Sequence, residues 1–318
     1  MKKEKRSLWG YIGRDGEFII KPQFDDAQNF HEGLAVVRTE WQRGYIDQTG
    51  SFVIDPKFQF ADNFNDEIAR VMLDDKWGFI NKKGEYVIEP VFDKAEEFRD
   101  GLSMVKVGDK FGYINRKGEF VVEPKFEYIG DFHCGLAWIC FDKKYGYVDT
   151  DGKMVVEPKF AVANDFANDL AAVMIDDRYG YIDKSGAFAI EPKFEVAENF
   201  KNGEARITVS GKWSYIDKSG QPTAEPTEVQ PVETFSEGLK PEKDGDKYGY
   251  VDESGAFVIA PAFFIAEPFC EGFARVKSGA TSKWGYIDKS GKFAFKAKFK
   301  DAKDFNYDIA RVLVEVTE

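Results

Sequence analysis

Short runs of alternating apolar and polar residues follow one another in a fixed order along this chain. In residues 77–110 the first run is Trp77-Gly78-Phe79-Ile80, followed by the polar Asn81-Lys82-Lys83-Gly84 and then by Tyr86-Val87-Ile88-Glu89, closed by Pro90. Aromatic and β-branched residues suit a pleated, half-buried surface, so both apolar runs predict strands. The polar tetrad between them is hairpin-turn chemistry: an Asn or Asp side chain bonds back to the following backbone, and Gly takes the left-handed conformation of a bulged loop. Proline has no N–H to give a ladder and belongs at the strand's end or edge. The stretch Phe92-Asp93-Lys94-Ala95-Glu96-Glu97-Phe98 reads as a loop or a single helical turn. A third strand, Leu102-Ser103-Met104-Val105-Lys106, then passes through a short turn into the next aromatic-Gly run. Each unit predicts three short strands joined as an antiparallel meander, with helix scarce.

The unit recurs nine times. Its first glycine stands at Gly10, Gly44, Gly78, Gly112, Gly146 and Gly180, always 34 residues apart; Ser214 takes the place in the seventh unit, and Gly249 and Gly285 follow. The turn glycine runs from Gly16 and Gly50 to Gly255 and Gly291 without a gap, and the second Phe runs from Phe30 and Phe64 to Phe269 and Phe305. Self-similarity at a fixed period of this length means a repeat architecture. One repeat domain is expected over 1–318, with units 9–42, 43–76, 77–110, 111–144, 145–178, 179–212, a degenerate 213–247, 248–283 and 284–318. Each repeat buries its apolar face mainly against its neighbours, so the core is spread along the array. Propellers use about four to eight blades of about 40–45 residues. Shorter units in larger number predict an all-β fold of three-stranded units stacked as an open, solenoid-like superhelix. The alternative is a closed, propeller-like ring. It needs the first strand, at Trp9, to pair with the last, at 309–312, as those two strands do at every other repeat junction.

The pattern Lys283-Trp284-Gly285-Tyr286-Ile287-Asp288-Lys289-Ser290-Gly291, with Phe-Val-Ile-Glu-Pro-Lys-Phe and Phe-x-x-Gly-Leu-Ala-Arg-Val elsewhere in the unit, resembles the WG-repeat (KWG-repeat) proteins common in bacteria. The resemblance covers essentially the whole chain. It implies an all-β repeat domain serving as an interaction or scaffold module, and no catalytic residues, because the family motif contains none. The seventh unit departs most. Gln221-Pro222-Thr223-Ala224-Glu225-Pro226-Thr227 lacks the apolar strand and following Phe, and Leu239-Lys240-Pro241 replaces Leu-Ala-Arg, which puts its local strand pairing in doubt.

Charge narrows the partners. A formal net charge of −12 weighs against nucleic acid and anionic lipid, which need a basic footprint. No apolar run approaches the roughly 20 residues of a membrane span, and the N-terminus lacks the apolar core of a signal peptide. Three cysteines do not make a disulfide framework; reduced thiols and a cytoplasmic address are expected.

Candidate chemistry is weighed column by column. Trp9, Trp77, Tyr145, Tyr179, Trp213 and Trp284 would suit sugar stacking if open to solvent, which gives a cell-wall or glycan-binding module as the alternative function; a core ladder accounts for them more simply. The carboxylates Asp55, Glu89, Glu123, Glu157, Glu191 and Glu225, with Lys57, Lys125, Lys159 and Lys193 two positions after four of them, form a solvated ladder that keeps sheet edges from sticking rather than one distinguished acid–base pair. Asp47, Asn81, Asn115, Asp149 and Asp183 are turn caps, with too few oxygens per loop for Ca²⁺. His133-Cys134 is too short a ligand set for zinc. As strand neighbours the two would point to opposite faces, away from a nucleophile–base arrangement. No catalytic, cofactor or metal residues are assigned.

Specific function is expected where the repeats differ. In the third strand one column stays apolar, while the preceding position reads Val36, Arg70, Met104, Trp138, Ala172, Arg206, Pro241, Arg275 and Arg311. Strand alternation turns this variable column toward solvent or a groove. With Phe141 and Ile175 on the same face, Met104, Trp138 and Ala172 predict an exposed apolar patch that binds another protein; the alternative is that another part of the superhelix covers this face and it is core. The sequence alone therefore predicts a non-enzymatic interaction scaffold without cofactor.

Overall fold

The computed structural model describes residues 5–224, 234–280 and 283–317. These residues form short strands and no helix, so no helix among them is long and apolar enough to cross a membrane. The chain divides into two compact units, one of Met1–Asp75, Phe79–Tyr86 and Gln230–Glu318, the other of Lys76–Gly78 and Val87–Val229.

In the first unit the sheet that sets the pattern contains Asp26–Ala27, Ala35–Thr39, Gln42–Ile46 and Phe52–Phe58, side by side in that order and all antiparallel. It straddles a repeat junction. The third strand of one repeat pairs with the first strand of the next, Ala35 opposite Ile46 and Val37 opposite Gly44. The meander expected within one repeat is corrected accordingly: Phe18–Phe24 pairs with Lys5–Ile12 on its own side, and Ala35–Thr39 belongs to the following sheet. The stretch after the proline is a loop with a two-residue strand, seen again in the second unit as Lys94–Ala95, and not a helical turn. That fourth short strand raises the sheet from three strands to four.

The same order recurs in the second unit. There Lys94–Ala95, Leu102–Val107, Lys110–Asn115 and Phe120–Phe126 form one sheet, Tyr128–Ile129, Leu136–Phe141, Lys144–Asp149 and Met154–Phe160 the next, and Val162–Ala163, Ala171–Ile175, Arg178–Ile182 and Phe188–Phe194 a third. The register slips by a bulge where the second strand crosses the repeat's first glycine, between Tyr179 and Tyr181 for example. At that crossing the backbones nearly touch: a Cβ on Gly180 would lie 2.6 Å from the Ile190 carbonyl oxygen and 2.8 Å from the Pro192 nitrogen. Glycine is required there because only it has no Cβ. In the seventh repeat, where Ser214 takes the glycine's place, the described residues pair Pro222–Thr223 with Ile216 and Tyr215.

In the first unit the two chain ends share one sheet. Lys5–Ile12 pairs with Ala310–Thr317 over eight residues, from Lys5 opposite Thr317 to Ile12 opposite Ala310. This pairing repeats, for the first and last strands, the one that joins the third strand of a repeat to the first strand of the next.

Both faces of the sheet that holds Ala35–Thr39 are buried at its centre. Val36 and Val37 are neighbours on one strand and 2% and 0% exposed, yet they belong to different clusters, Val36 with Tyr45 and Phe58 and Val37 with Tyr11 and Phe24. Polar groups in this frame are matched. In seven repeats the tyrosine donates its hydroxyl to the carbonyl seventeen residues on, Tyr45 to Asp62 and Tyr147 to Asn164 for example, both at 2.7 Å. Burial pushes these phenols well above their ordinary range. In the third repeat the tyrosine position holds Phe79, and the Glu96 carbonyl accepts instead from Ser103, at 2.6 Å. Ser103 is fully buried at a place where Ala35, Ala69, Ala137 and Ala171 stand in other repeats. Consecutive repeats are also tied at their tight turns. Glu32 accepts the backbone N–H of Asp66 and Glu67, residues held at φ 51° and 68°, and Lys82 bridges Glu32 and Glu67 at 3.2 and 2.6 Å. Partial burial pushes the Glu32 carboxyl up, but the Glu67 and Asp66 N–H groups and the Lys82 ammonium outweigh it and hold the carboxyl below its ordinary value.

Candidate functional site

The residues expected to form an apolar patch are dispersed by the packing. Ala172 is fully buried against Tyr181 and Ile190, so its placement on an exposed face is corrected. The physical reason is the second covered face: alternation separates inside from outside only when one side of a sheet meets water. Met104 is half-buried against the cluster of Tyr113 and Phe126, and Ile175 against that of Tyr147 and Phe160. Phe141 is 49% exposed and meets Phe126 edge-on, their centroids 6.3 Å apart.

Trp138 is half-buried, and its indole Nε1 donates to Asp165 Oδ1 at 2.9 Å while its ring tilts against Tyr145 at 5.7 Å. Arginine does the same in other repeats. Arg275 Nε donates to Asp304 Oδ1 at 2.6 Å with its guanidinium 5.5 Å from the Trp284 ring, and Arg206 stacks 3.9 Å from the Trp213 ring. Trp138 is thus a planar donor in an arginine's slot. His133 Nε2 lies 3.6 Å from Asp165, while the neighbouring Cys134 Sγ faces the Phe166 carbonyl at 3.8 Å, so the two side chains have separate partners.

The turn column behaves as capping chemistry. Asp183 accepts from the Ser185 hydroxyl at 2.5 Å and from the Ser185 and Ala187 N–H groups, and the Ser185 hydroxyl in particular holds its carboxyl below the ordinary range. Asp47, Asp217, Asp252 and Asp288 repeat the arrangement with Thr49, Ser219, Ser254 and Ser290.

A different place stands out in the second unit. In the seventh-repeat sheet, Glu204–Val209 and Lys212–Asp217 pair along their length, and among the described residues the next strand is Pro222–Thr223. A cavity of about 300 Å³ opens on one side, lined by Arg206, Trp213, Ser214, Tyr215 and Thr223. Another of about 540 Å³ lies against Lys193, Phe194, Ile207, Lys212, Ser214 and Ile216. Ser214 lines both. The Thr223 hydroxyl is buried without a hydrogen-bond partner, and Trp213 is 48% exposed. In the preceding sheet Ile190 and Phe194 fill the corresponding space at 4% and 2% exposure; one repeat later the sequence has Ala224 and Glu228. Residues 225–233 lie outside those described, including the Glu225-Pro226-Thr227 end of the degenerate stretch. Sequence reasoning flagged the repeat as irregular but assigned it no role. The legible signals were Ser214 for glycine and the loss of the Ile and Phe.

Fold and frame define an all-β repeat protein in which the recurring residues serve the backbone and core. The family model described as WG containing repeat matches residues 9–40, 44–77, 77–111, 111–145, 145–179, 179–213, 248–280 and 284–315. The chain belongs to the WG-repeat family. The matches pass over the seventh repeat. No curated protein sequence matches this chain. Similar solved structures include a eukaryotic initiation factor, at 11% identity and TM-score 0.38 over 92% of this chain and 96% of that one. Virginiamycin B lyase from Staphylococcus aureus has 13% identity and TM-score 0.30 over 79% and 97%, and Hsv2 of Kluyveromyces lactis 9% and 0.32 over 78% and 91%. Likenesses this distant carry no argument about what this chain does.

Proposed function

We propose that the chain is a non-enzymatic protein-interaction scaffold. The observation that carries this reading is the division of labour between positions. Recurring tyrosines bond to backbone carbonyls, recurring turn aspartates bond to backbone N–H groups, and recurring glycines allow close backbone approach. Individuality is left to positions that vary, such as the exposed Phe141. A frame of uniform repeats with local departures suits display of binding surface along an array. The free Cys134, Cys140 and Cys270 fit work in the cytoplasm.

The test is crosslinking of the purified chain in native lysate followed by mass spectrometry, with crosslink positions mapped. Reproducible crosslinks between one protein and a defined set of repeat positions are expected. Retention on glycan or cell-wall matrix with no protein crosslinks would overturn the scaffold reading in favour of the glycan-binding one.

A further inference from the structure

We propose, building on the scaffold reading, that the second strands of the ninth and first repeats form a docking surface for an acidic, amphipathic segment of a partner protein. Apolar surface recurs along the array, and charge gives this place its address. The phenylalanine that opens the second strand is 37–43% exposed at Phe18, Phe52, Phe120, Phe257 and Phe293. Three residues further on, the position before the proline is exposed too. It is acidic from the second repeat to the sixth, as Asp55, Glu89, Glu123, Glu157 and Glu191. In the first repeat it is the exposed Lys21, and in the eighth it is Ala260. The ninth repeat inverts two further columns. Lys292 stands where Glu85 and Glu119 stand, and Lys300 where Asp93 and Glu127 stand. Its strand Phe293–Phe299 contains no acidic residue.

The two strands are neighbours within the first compact unit. The Lys298 ammonium lies 5.5 Å from the Phe299 ring centre and 5.9 Å from that of Phe18, and Gly16 backs directly onto the Phe295 ring. Ile19, 47% exposed, extends the apolar surface beside Lys21. Lys292, Lys298 and Lys300 are exposed as well, and Lys300 donates to the Ser7 hydroxyl at 2.9 Å. Among the described residues none of Lys21, Lys292, Lys298 and Lys300 forms an ion pair. Of the bordering carboxylates, Asp301 is held by Lys303 at 3.0 Å and Glu17 stands exposed. Charge complementarity names the occupant. In a chain of net charge −12, an acidic partner is repelled by the carboxylate column of the second to sixth repeats and steered to the lysines here. Its apolar side chains then cover Phe18, Ile19 and Phe293, which gives the interface an apolar centre and a charged rim.

The probe is a labelled peptide of three Glu-Glu-Leu-Phe repeats, titrated by fluorescence anisotropy against the full chain. Its controls are a version with every Glu replaced by Gln and a poly-glutamate of equal length. Saturable binding is expected for the probe alone, weakening as salt is raised. Lys21→Glu and Lys292→Glu restore the residue type that other repeats carry at these positions, so circular dichroism should match wild type. Each should weaken binding roughly fivefold, and Glu17→Lys should tighten it by a similar factor. No saturable binding, equal binding of either control, or affinity unchanged in the Lys21→Glu, Lys292→Glu double variant would overturn the proposal. So would equal competition by oligo-dT or by phosphatidylglycerol vesicles, because any polyanion would then be an occupant. Self-association of the chain that the double variant abolishes would overturn it as well, because a second copy would then be the occupant. If the lysate crosslinks persist unchanged in the double variant, the scaffold reading stands and this docking surface falls.

Discussion

At the scale of the residue, one position can hold quite different side chains when the demand on it is a planar donor over an aromatic ring. Trp138, Arg206 and Arg275 meet that demand, and Trp138 and Arg275 share a carboxylate acceptor as well. Trp138→Ser removes ring packing and leaves Asp165 without the indole N–H. It should cost about 3 kcal/mol of stability in denaturant titration, in line with large-to-small changes in packed sites. Trp138→Arg should cost far less, because four other repeats carry arginine there. Equal losses in the two variants would show that the slot is not interchangeable. The Ser103 substitution makes a related point: the frame needs a donor at one carbonyl, and the hydroxyl can come from either of two positions. Tyr147→Phe should cost about 1 kcal/mol by orphaning the Asn164 carbonyl. Adding Ala171→Ser, which stands seven residues beyond the Asn164 carbonyl as Ser103 stands seven beyond that of Glu96, should recover part of that loss, and a further loss would refute the equivalence.

At the scale of the element, each hairpin depends on a charged cap. Asp47, Asp183, Asp217, Asp252 and Asp288 have carboxyls held below their ordinary value of 3.8 by turn hydroxyls and N–H groups. A depressed folded-state value means stability that is present above the unfolded value and lost as pH falls through the folded one. The melting temperature should therefore drop as the solution is acidified below about pH 4. Asparagine keeps the acceptor, as Asn81 does toward the N–H groups of Lys83 and Glu85, and carries no charge to lose. Replacing all five aspartates by Asn should flatten the acid limb of the curve, and an unchanged limb would place the acid sensitivity elsewhere.

At the scale of the whole molecule, the two chain ends are one structural element. Lys5–Ile12 and Ala310–Thr317 pair in full, and Ile12, Ala310 and Val312 share a cluster with Tyr286, Phe299 and Phe305. Removing residues 310–318 strips the partner of Lys5–Ile12 and opens that cluster. The melting temperature should fall by more than about 10 °C, with amide protection lost first at residues 5–12. A truncated chain that melts like the full one would mean that the terminal pairing contributes little.

The sequence by itself determined the repeat, its period and its strand and turn chemistry, because those follow from local rules: alternation, turn residues at fixed offsets, and proline at a strand's end. It also marked the seventh repeat as irregular. Only the tertiary structure decided which strands share a sheet. A repeat can be cut at any point in its period, and only hydrogen bonding sets the boundary between Phe18–Phe24 and Ala35–Thr39. It likewise decided the fate of the variable column. Alternation says that Ala172 and Val173 face opposite ways, but stacking buries both sides, so an apolar residue on the expected outer face is core.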